Sequence, residues 1–209
     1  MSIYKQIMGE QFDQLHEKLQ ERYEFPHGKP FIASGTMTSI KSDPKWLRPL
    51  FKLAVRWKFL FPERGKDIPF KIVNTPQIGP NGEKQIHWER IFYFGTKERH
   101  FNALMSLNEE RQVIKDYLGE PHLFYSDLLL TATSDGHLKI ESKQQRFICG
   151  RWEIPLPKVF QGLATVIEKY LQEEKCYSIQ VIVKNPLIGT VFSYEGEFKR
   201  DDISYIRND

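Results

Sequence analysis

The stretch KQIHWERIFYFG at residues 84–95 decides how this chain is read. Ile86, Trp88, Arg90, Phe92 and Phe94 alternate with Gln85, His87, Glu89, Ile91 and Tyr93. Successive side chains of a strand point to opposite faces, so a strand here places Arg90 among three aromatics and an isoleucine. That is the face a sheet buries. An unpaired charge buried there costs several kcal/mol, as an order of magnitude. Arg90 therefore demands a partner, either a carboxylate or a ligand.

The same alternation continues on both sides. The run GPNG at residues 79–82 separates strand-like stretches 68–75 and 84–95. Asn108-Glu109-Glu110 separates 99–107 from 111–118, and Ser134-Asp135-Gly136 separates 123–133 from 137–148, the clearest hairpin signal in the chain. Further out, residues 31–40 read as a strand with Gly35 as a bend, and 177–184 and 190–198 as two last strands joined by Asn185-Pro186-Leu187-Ile188-Gly189. Apolar residues at helical spacing predict three helices. The first covers residues 3–22, with Ile7, Met8, Phe12, Leu15 and Leu19 as its stripe. The second covers 44–61, capped by Asp43 and Pro44. The third covers 158–173, with Val159, Phe160, Leu163, Val166, Ile167, Tyr170 and Leu171 inward.

About nine strands joined by short turns make a sheet that tends to curl or close. The expected fold is α+β: a large, curved, mostly antiparallel sheet or partial barrel packed on helices, with room for an apolar cavity between them. The 209 residues suit one domain, with its core at 4–198 and a polar tail at 199–209.

Composition sets limits on function. The net charge of +3 is spread over the chain, which gives no footprint for nucleic acid. Cys149 and Cys176 have neither metal spacing nor a disulfide framework. No secretory leader and no run long enough for a membrane-spanning helix is read, so a cytoplasmic protein is expected. The six histidines are scattered without metal-ligand spacing, and no metal or cofactor is expected. The serine-nucleophile elbow, the phosphate-binding loop and the dinucleotide-binding glycine pattern are all absent from the sequence.

Arg90 has candidate companions. If the strand from His137 is unbroken, Gln144 and Arg146 share the face of Leu138 and Ile140. With Trp88 and Phe92, the two arginines would then hold a carboxylate or phosphate head while aromatics cover an apolar tail. Tyr194 and Glu195 complete the candidate ligand-binding set. The alternative is a structural ion pair of Arg90 with Glu195 or Asp127, or a bulge that turns Arg146 outward. In the second helix, Lys45, Arg48, Lys52 and Arg56 form a basic stripe opposite an apolar face with two tryptophans. Such a helix either touches an anionic membrane or covers a pocket mouth, unless it is a core helix with a solvated basic face.

Several short motifs, in order, carry a resemblance. They are Tyr4-Lys5-Gln6-Ile7-Met8-Gly9, Ser34-Gly35-Thr36-Met37, Trp88-Glu89-Arg90, Pro155-Leu156-Pro157, Asn185-Pro186-Leu187-Ile188-Gly189 and Tyr194-Glu195-Gly196. In this respect the chain resembles a bacterial family of unassigned function, domain of unknown function 4166. Members are often fused behind a saccharopine-dehydrogenase-like nucleotide-binding domain. No such domain is read here, so the resemblance implies an accessory role beside a reductase-type partner.

The leading expectation is a non-catalytic binding module with an apolar cavity for a small amphiphilic or lipid-like ligand, arginine at its polar end. Two alternatives stand beside it: a cavity-type enzyme using Glu195, Asp127 or Tyr194 as acid or base, and an interaction domain docking on a reductase or membrane surface. A convergent carboxylate of raised pKa in a cavity would favour the enzyme.

Overall fold

The computed structural model describes residues 1–150 and 152–201. Among these are twelve strands: β1 (Phe31–Ser42), β2 (Ile68–Ile78), β3 (Lys84–Phe94), β4 (Lys97–His100), β5 (Ala103–Asn108), β6 (Val113–Leu118), β7 (Phe124–Ala132), β8 (Leu138–Cys149), β9 (Trp152–Pro155), β10 (Leu163–Leu171), β11 (Cys176–Asn185) and β12 (Gly189–Arg200). Three short α-helices accompany them, α1 (Ile3–Met8), α2 (Glu17–Glu24) and α3 (Arg48–Ala54). Most of the polar tail, residues 202–209, lies outside the described residues.

Ten of the strands close into an antiparallel barrel in the order β1-β2-β3-β5-β6-β7-β8-β10-β11-β12, with β12 returning to β1. β4 extends the β2–β3 hairpin region, and β9 folds back on β8. Closure gives every barrel strand two partners, which removes the exposed edges that an open sheet of this size would carry. The fold is thus α+β with a closed antiparallel barrel, and the alternation read in residues 84–95 holds: Ile86, Trp88, Arg90 and Phe92 are buried on the inner face of β3.

The expected third helix is instead the strand that closes the barrel. β10 pairs Val166 with Ile140 of β8 on one side and with Val181 of β11 on the other. Its inner residues are Ala164, Val166, Glu168 and Tyr170, while Leu163, Ile167 and Leu171 face outward. Apolar residues on both faces match helical spacing as well as a two-sided strand, and the β-branched run Thr165-Val166-Ile167 tips the balance to the strand. The expected first helix is divided. α1 ends at Gly9, whose φ is +54°, a 3-10 turn follows, and the His16 imidazole accepts from the Lys18 N–H to start α2. The second helix is shorter than expected, because Lys58 leaves the helix with φ +47°.

β1 and β12 approach so closely that two positions require glycine. A Cβ on Gly35 would lie 2.0 Å from the Glu197 carbonyl oxygen, and one on Gly196 would lie 2.2 Å from that of Thr36. Next to them the register shifts between Met37 and Ser39.

The helices close the two ends. At one end, α1 and α2 plug the barrel: the Tyr4 hydroxyl lies 3.2 Å from Met105 Sδ and accepts from Trp88 Nε1 at 2.7 Å, and His16 N donates to Gly136 O in the β7–β8 turn. α3 lies at the other end. There Glu120 N donates to Trp57 O at 2.7 Å and Asn102 N donates to Lys58 O at 2.9 Å, tying the helix exit to the loops before β7 and β5. No helix among the described residues is long and apolar enough to cross a membrane.

Candidate functional site

Between α3 and the barrel interior lies a pocket of about 300 Å³. α3 supplies Leu50, Phe51 and Ala54, and the walls are mostly aliphatic and aromatic side chains from inward strand positions. A small number of polar groups breaks this lining: Arg90, Asp116, Ser126, Ser142, Gln145, Gln161 and Asn185.

Arg90 is 6% exposed. Its guanidinium lies on the Phe101 ring, 4.1 Å from the centroid, and its Nε donates to the Phe101 carbonyl at 2.7 Å. Nη1 reaches the Tyr194 hydroxyl at 3.5 Å, and the Trp88 ring is 5.7 Å away. Phe92 stands behind this group and packs edge-on against Tyr194. Burial raises the pKa of the Tyr194 hydroxyl, with Arg90 acting in the opposite sense. No carboxylate forms an ion pair with Arg90 among the described residues.

Asp116 faces the pocket from β6, between the inward residues Ile114 and Leu118. Burial pushes its carboxyl up to about 7, while the nearby Arg90 pulls it the other way. Its Oδ1 has no hydrogen-bonding partner among the described residues. Ser126, opposite it on β7, also lines the pocket, and its Oγ is equally without a protein partner. The remaining polar lining is satisfied. Ser142 Oγ accepts from Ala164 N at 2.6 Å, and the Gln145 amide bonds both the N–H and the carbonyl of Gly162, at 2.7 and 2.8 Å.

Of the residues predicted from sequence, Trp88, Arg90, Phe92 and Tyr194 are gathered inside the barrel. Gln144 and Arg146 are not. Ser126 pairs with Gln145 but Leu128 pairs with Ser142, so β8 carries an extra residue and its side chains change faces. Arg146 then points outward and donates to Glu153 of β9 at 2.8 Å and to Gln144 at 3.3 Å, and Gln145 takes the inward place. Glu195 is exposed on the outer face and accepts from Gln180 at 3.1 Å. Asp127 sits across from Lys115, on the other side of the sheet from Asp116, and is held by Arg111 and Tyr125. Neither acid reaches Arg90, which corrects the expected ion pair. Sequence reasoning missed Asp116 and Ser126, although the alternation Ile114, Asp116, Leu118 is the same signal that exposed Arg90.

A second buried charge lies beneath the pocket floor. Arg22 of α2 contacts Glu168 of β10 with Nε 2.7 Å from Oε1, and the Tyr23 hydroxyl donates to Oε2 at 3.0 Å. The Phe31, Phe198 and Trp88 rings surround this guanidinium at 4.3, 5.0 and 5.5 Å. Trp88 therefore separates the paired Arg22 from the unpaired Arg90. Among the described residues no group of histidine, cysteine or acidic side chains could hold a metal ion, and Cys149 and Cys176 are free thiols.

The family model described as domain of unknown function (DUF4166) matches residues 15–198. An uncharacterized protein of Bacillus subtilis (strain 168), YndH, is 41% identical over 203 residues, which covers 96% of this chain and 98% of that relative. No solved structure matches.

Proposed function

The chain belongs to the DUF4166 family, and we propose that its barrel is a non-catalytic binding module for one small amphiphilic, lipid-like molecule. The apolar part of that molecule fills the pocket under α3, and its polar head meets Arg90, Asp116 and Ser126. One observation carries this reading: Asp116 Oδ1 and Ser126 Oγ are buried without protein partners beside a guanidinium that no carboxylate neutralises. A buried polar atom left unpaired costs roughly 1–3 kcal/mol, and a ligand head that reaches both atoms recovers that cost. Arg90 donates, Ser126 both donates and accepts, and a neutral Asp116 donates once. Together they suit an oxygen-rich head such as a carboxylic acid. The volume is at the lower end of small-molecule pockets, which run from roughly 300 to 1,000 Å³. A carrier of this kind would serve as accessory partner to an enzyme acting on the same amphiphile, the role the family resemblance implies.

Asp116 also favours a second reading. A carboxyl raised to about 7 in an apolar pocket is poised as a general base, with Arg90 placed to stabilise developing negative charge. Against it, the pocket lining contains no histidine, lysine or cysteine, and the hydroxyl of Tyr125, which does line it, donates to Asp127 and is made a weaker acid by burial.

Native mass spectrometry of protein purified from its own host tests the proposal. The expected result is a single added mass that disappears on denaturation and is absent from Arg90→Met. A bare mass, together with no thermal shift from a panel of fatty acids, sterols and isoprenoid acids, would sink it. Chemical turnover of a bound molecule that stops in Asp116→Asn would favour the enzyme.

A further inference from the structure

The mouth of the pocket is rimmed by large apolar side chains that the fold leaves in the open. Trp46 is 66% exposed and Phe160 is 68% exposed, with Leu50, Val159 and Ile188 also exposed, and all five line the same pocket. They come from three segments: the start of the α3 region, the 3-10 turn Lys158–Phe160 and the β11–β12 hairpin. Asn185 holds the last two together, its Nδ2 donating to the carbonyls of Lys158, Val159 and Gln161 at 3.1, 3.0 and 2.7 Å.

The α3 side of this mouth carries charge of one sign. From Pro44 to Lys58 the chain contains no acidic residue. Lys45, Arg48, Lys52 and Arg56 are all exposed, and none has an ion-pair partner among the described residues, whereas Lys58 next to them pairs with Glu120. Only Phe51 and Ala54 of α3 are fully buried, so the rest of its circumference, apolar and basic, faces outward.

We propose that this mouth docks on an anionic lipid bilayer, with Trp46, Leu50 and Phe160 entering the interface and the four basic residues meeting the headgroup phosphates. Three separate protruding segments need a conforming surface, which a bilayer supplies and a rigid protein face does not. Tryptophan favours the headgroup level, and each Lys or Arg near an anionic surface adds to the attraction. Docking would bring the pocket opening against the acyl region, so an amphiphile could pass between membrane and barrel without crossing water. What is exchanged rests on the binding-module reading; the docking itself does not.

Co-sedimentation with vesicles tests it, comparing phosphatidylcholine alone with phosphatidylcholine mixed with phosphatidylglycerol. The wild-type protein is expected to pellet with the mixed vesicles only, less so as salt rises. The Trp46→Ala/Phe160→Ala variant and the Lys45→Gln/Arg48→Gln/Lys52→Gln/Arg56→Gln variant, each with a wild-type circular dichroism spectrum, should lose about ten-fold or more in vesicle affinity. Brominated lipid should quench Trp46 emission, a signal missing from Trp46→Phe. Equal pelleting with both vesicle types, none with either, or pelleting that survives loss of the four charges would overturn the proposal. A protein that fails to pellet yet still carries a co-purified molecule defeats docking and leaves the pocket reading standing; one that pellets while carrying nothing does the reverse.

Discussion

Arg90 and Asp116 face the same pocket from β3 and β6 and form no ion pair. In an ordinary core these two groups would be drawn together, because two buried opposite charges repay part of their desolvation only in contact. Here the Arg90 guanidinium is held instead against the Phe101 ring and carbonyl. Asp116 stays apart, with one oxygen unused. The two groups do not form a structural bridge.

Asp116 should make the stability of the unliganded protein fall as pH rises. Its folded-state pKa of about 7 lies above the ordinary 3.8. Between those values the folded protein holds a proton that the unfolded chain has released. The associated stability is fully present below about pH 4 and lost as pH rises through about 7, by an amount on the order of 4 kcal/mol. Asp116→Asn should remove this fall and be the more stable protein at neutral pH. Urea unfolding of both proteins at about pH 5 and about pH 8 measures it. Parallel pH profiles would mean that Asp116 is hydrated and ordinary.

The Arg22–Glu168 contact should behave in the opposite way to Arg90. Both groups are buried and touch, and aromatic rings surround Arg22. Glu168→Gln strands a buried guanidinium and should cost about 3–5 kcal/mol, while Arg22→Met/Glu168→Leu should recover most of that loss. Denaturant unfolding of Arg22→Met, Glu168→Leu and the variant that combines them gives the coupling directly. Additive losses would show that the pair is not coupled.

Glu120 should govern how firmly α3 sits on the barrel. Burial alone would raise its carboxyl, but hydrogen bonds from Lys58, Asn102 and His87 outweigh this and bring it down to about 2. The stability it adds is present above the ordinary carboxylate pKa and is lost as pH falls through about 2. Glu120→Gln should leave the barrel folded while amide exchange at Trp57 and Lys58 speeds up and bound ligand leaves faster. Hydrogen-exchange mass spectrometry of residues 45–58 checks this. Unchanged protection there would show that α3 is held by its apolar contacts alone.

Much of the barrel was legible because period-2 alternation survives wherever one face is buried. β3 and β6 display it cleanly, which is why Arg90 could be placed from sequence and why Asp116 could have been. Gly35 and Gly196 also stood out, and their reason is steric: each faces the backbone of the neighbouring strand. Legibility ended where one residue changes parity. The bulge in β8 adds a residue between Ser142 and Gln145, and no turn signal marks it, so Gln144 and Arg146 were assigned to the wrong face. β10 failed for another reason: with apolar residues on both faces it has no distinct period. The partnerless state of Asp116 and Ser126 was beyond reach, since it depends on how three strands and a helix meet.

Arg90→Met is the decisive substitution. Among the described residues no carboxylate contacts Arg90, so methionine strands no paired acid and removes a buried charge. The losses are the charged bond to the Phe101 carbonyl, worth roughly 1.5–3 kcal/mol, the longer contact with the Tyr194 hydroxyl, and the stacking on the Phe101 ring, worth roughly 1–2 kcal/mol when desolvated. Relief from burying a charge offsets them. At about pH 5, where the folded-state Asp116 is protonated, the variant should therefore match or exceed the wild type in stability. Above about pH 7 it should fall behind, because Asp116 then ionises without a cation nearby. Adding Asp116→Asn should abolish that late loss. None of these variants should retain a co-purified molecule. Thermal melts across pH and native mass spectra of the single and double variants decide the matter: a loss of about 3–5 kcal/mol already at low pH would make Arg90 a structural member of the core and not the anchor of a ligand.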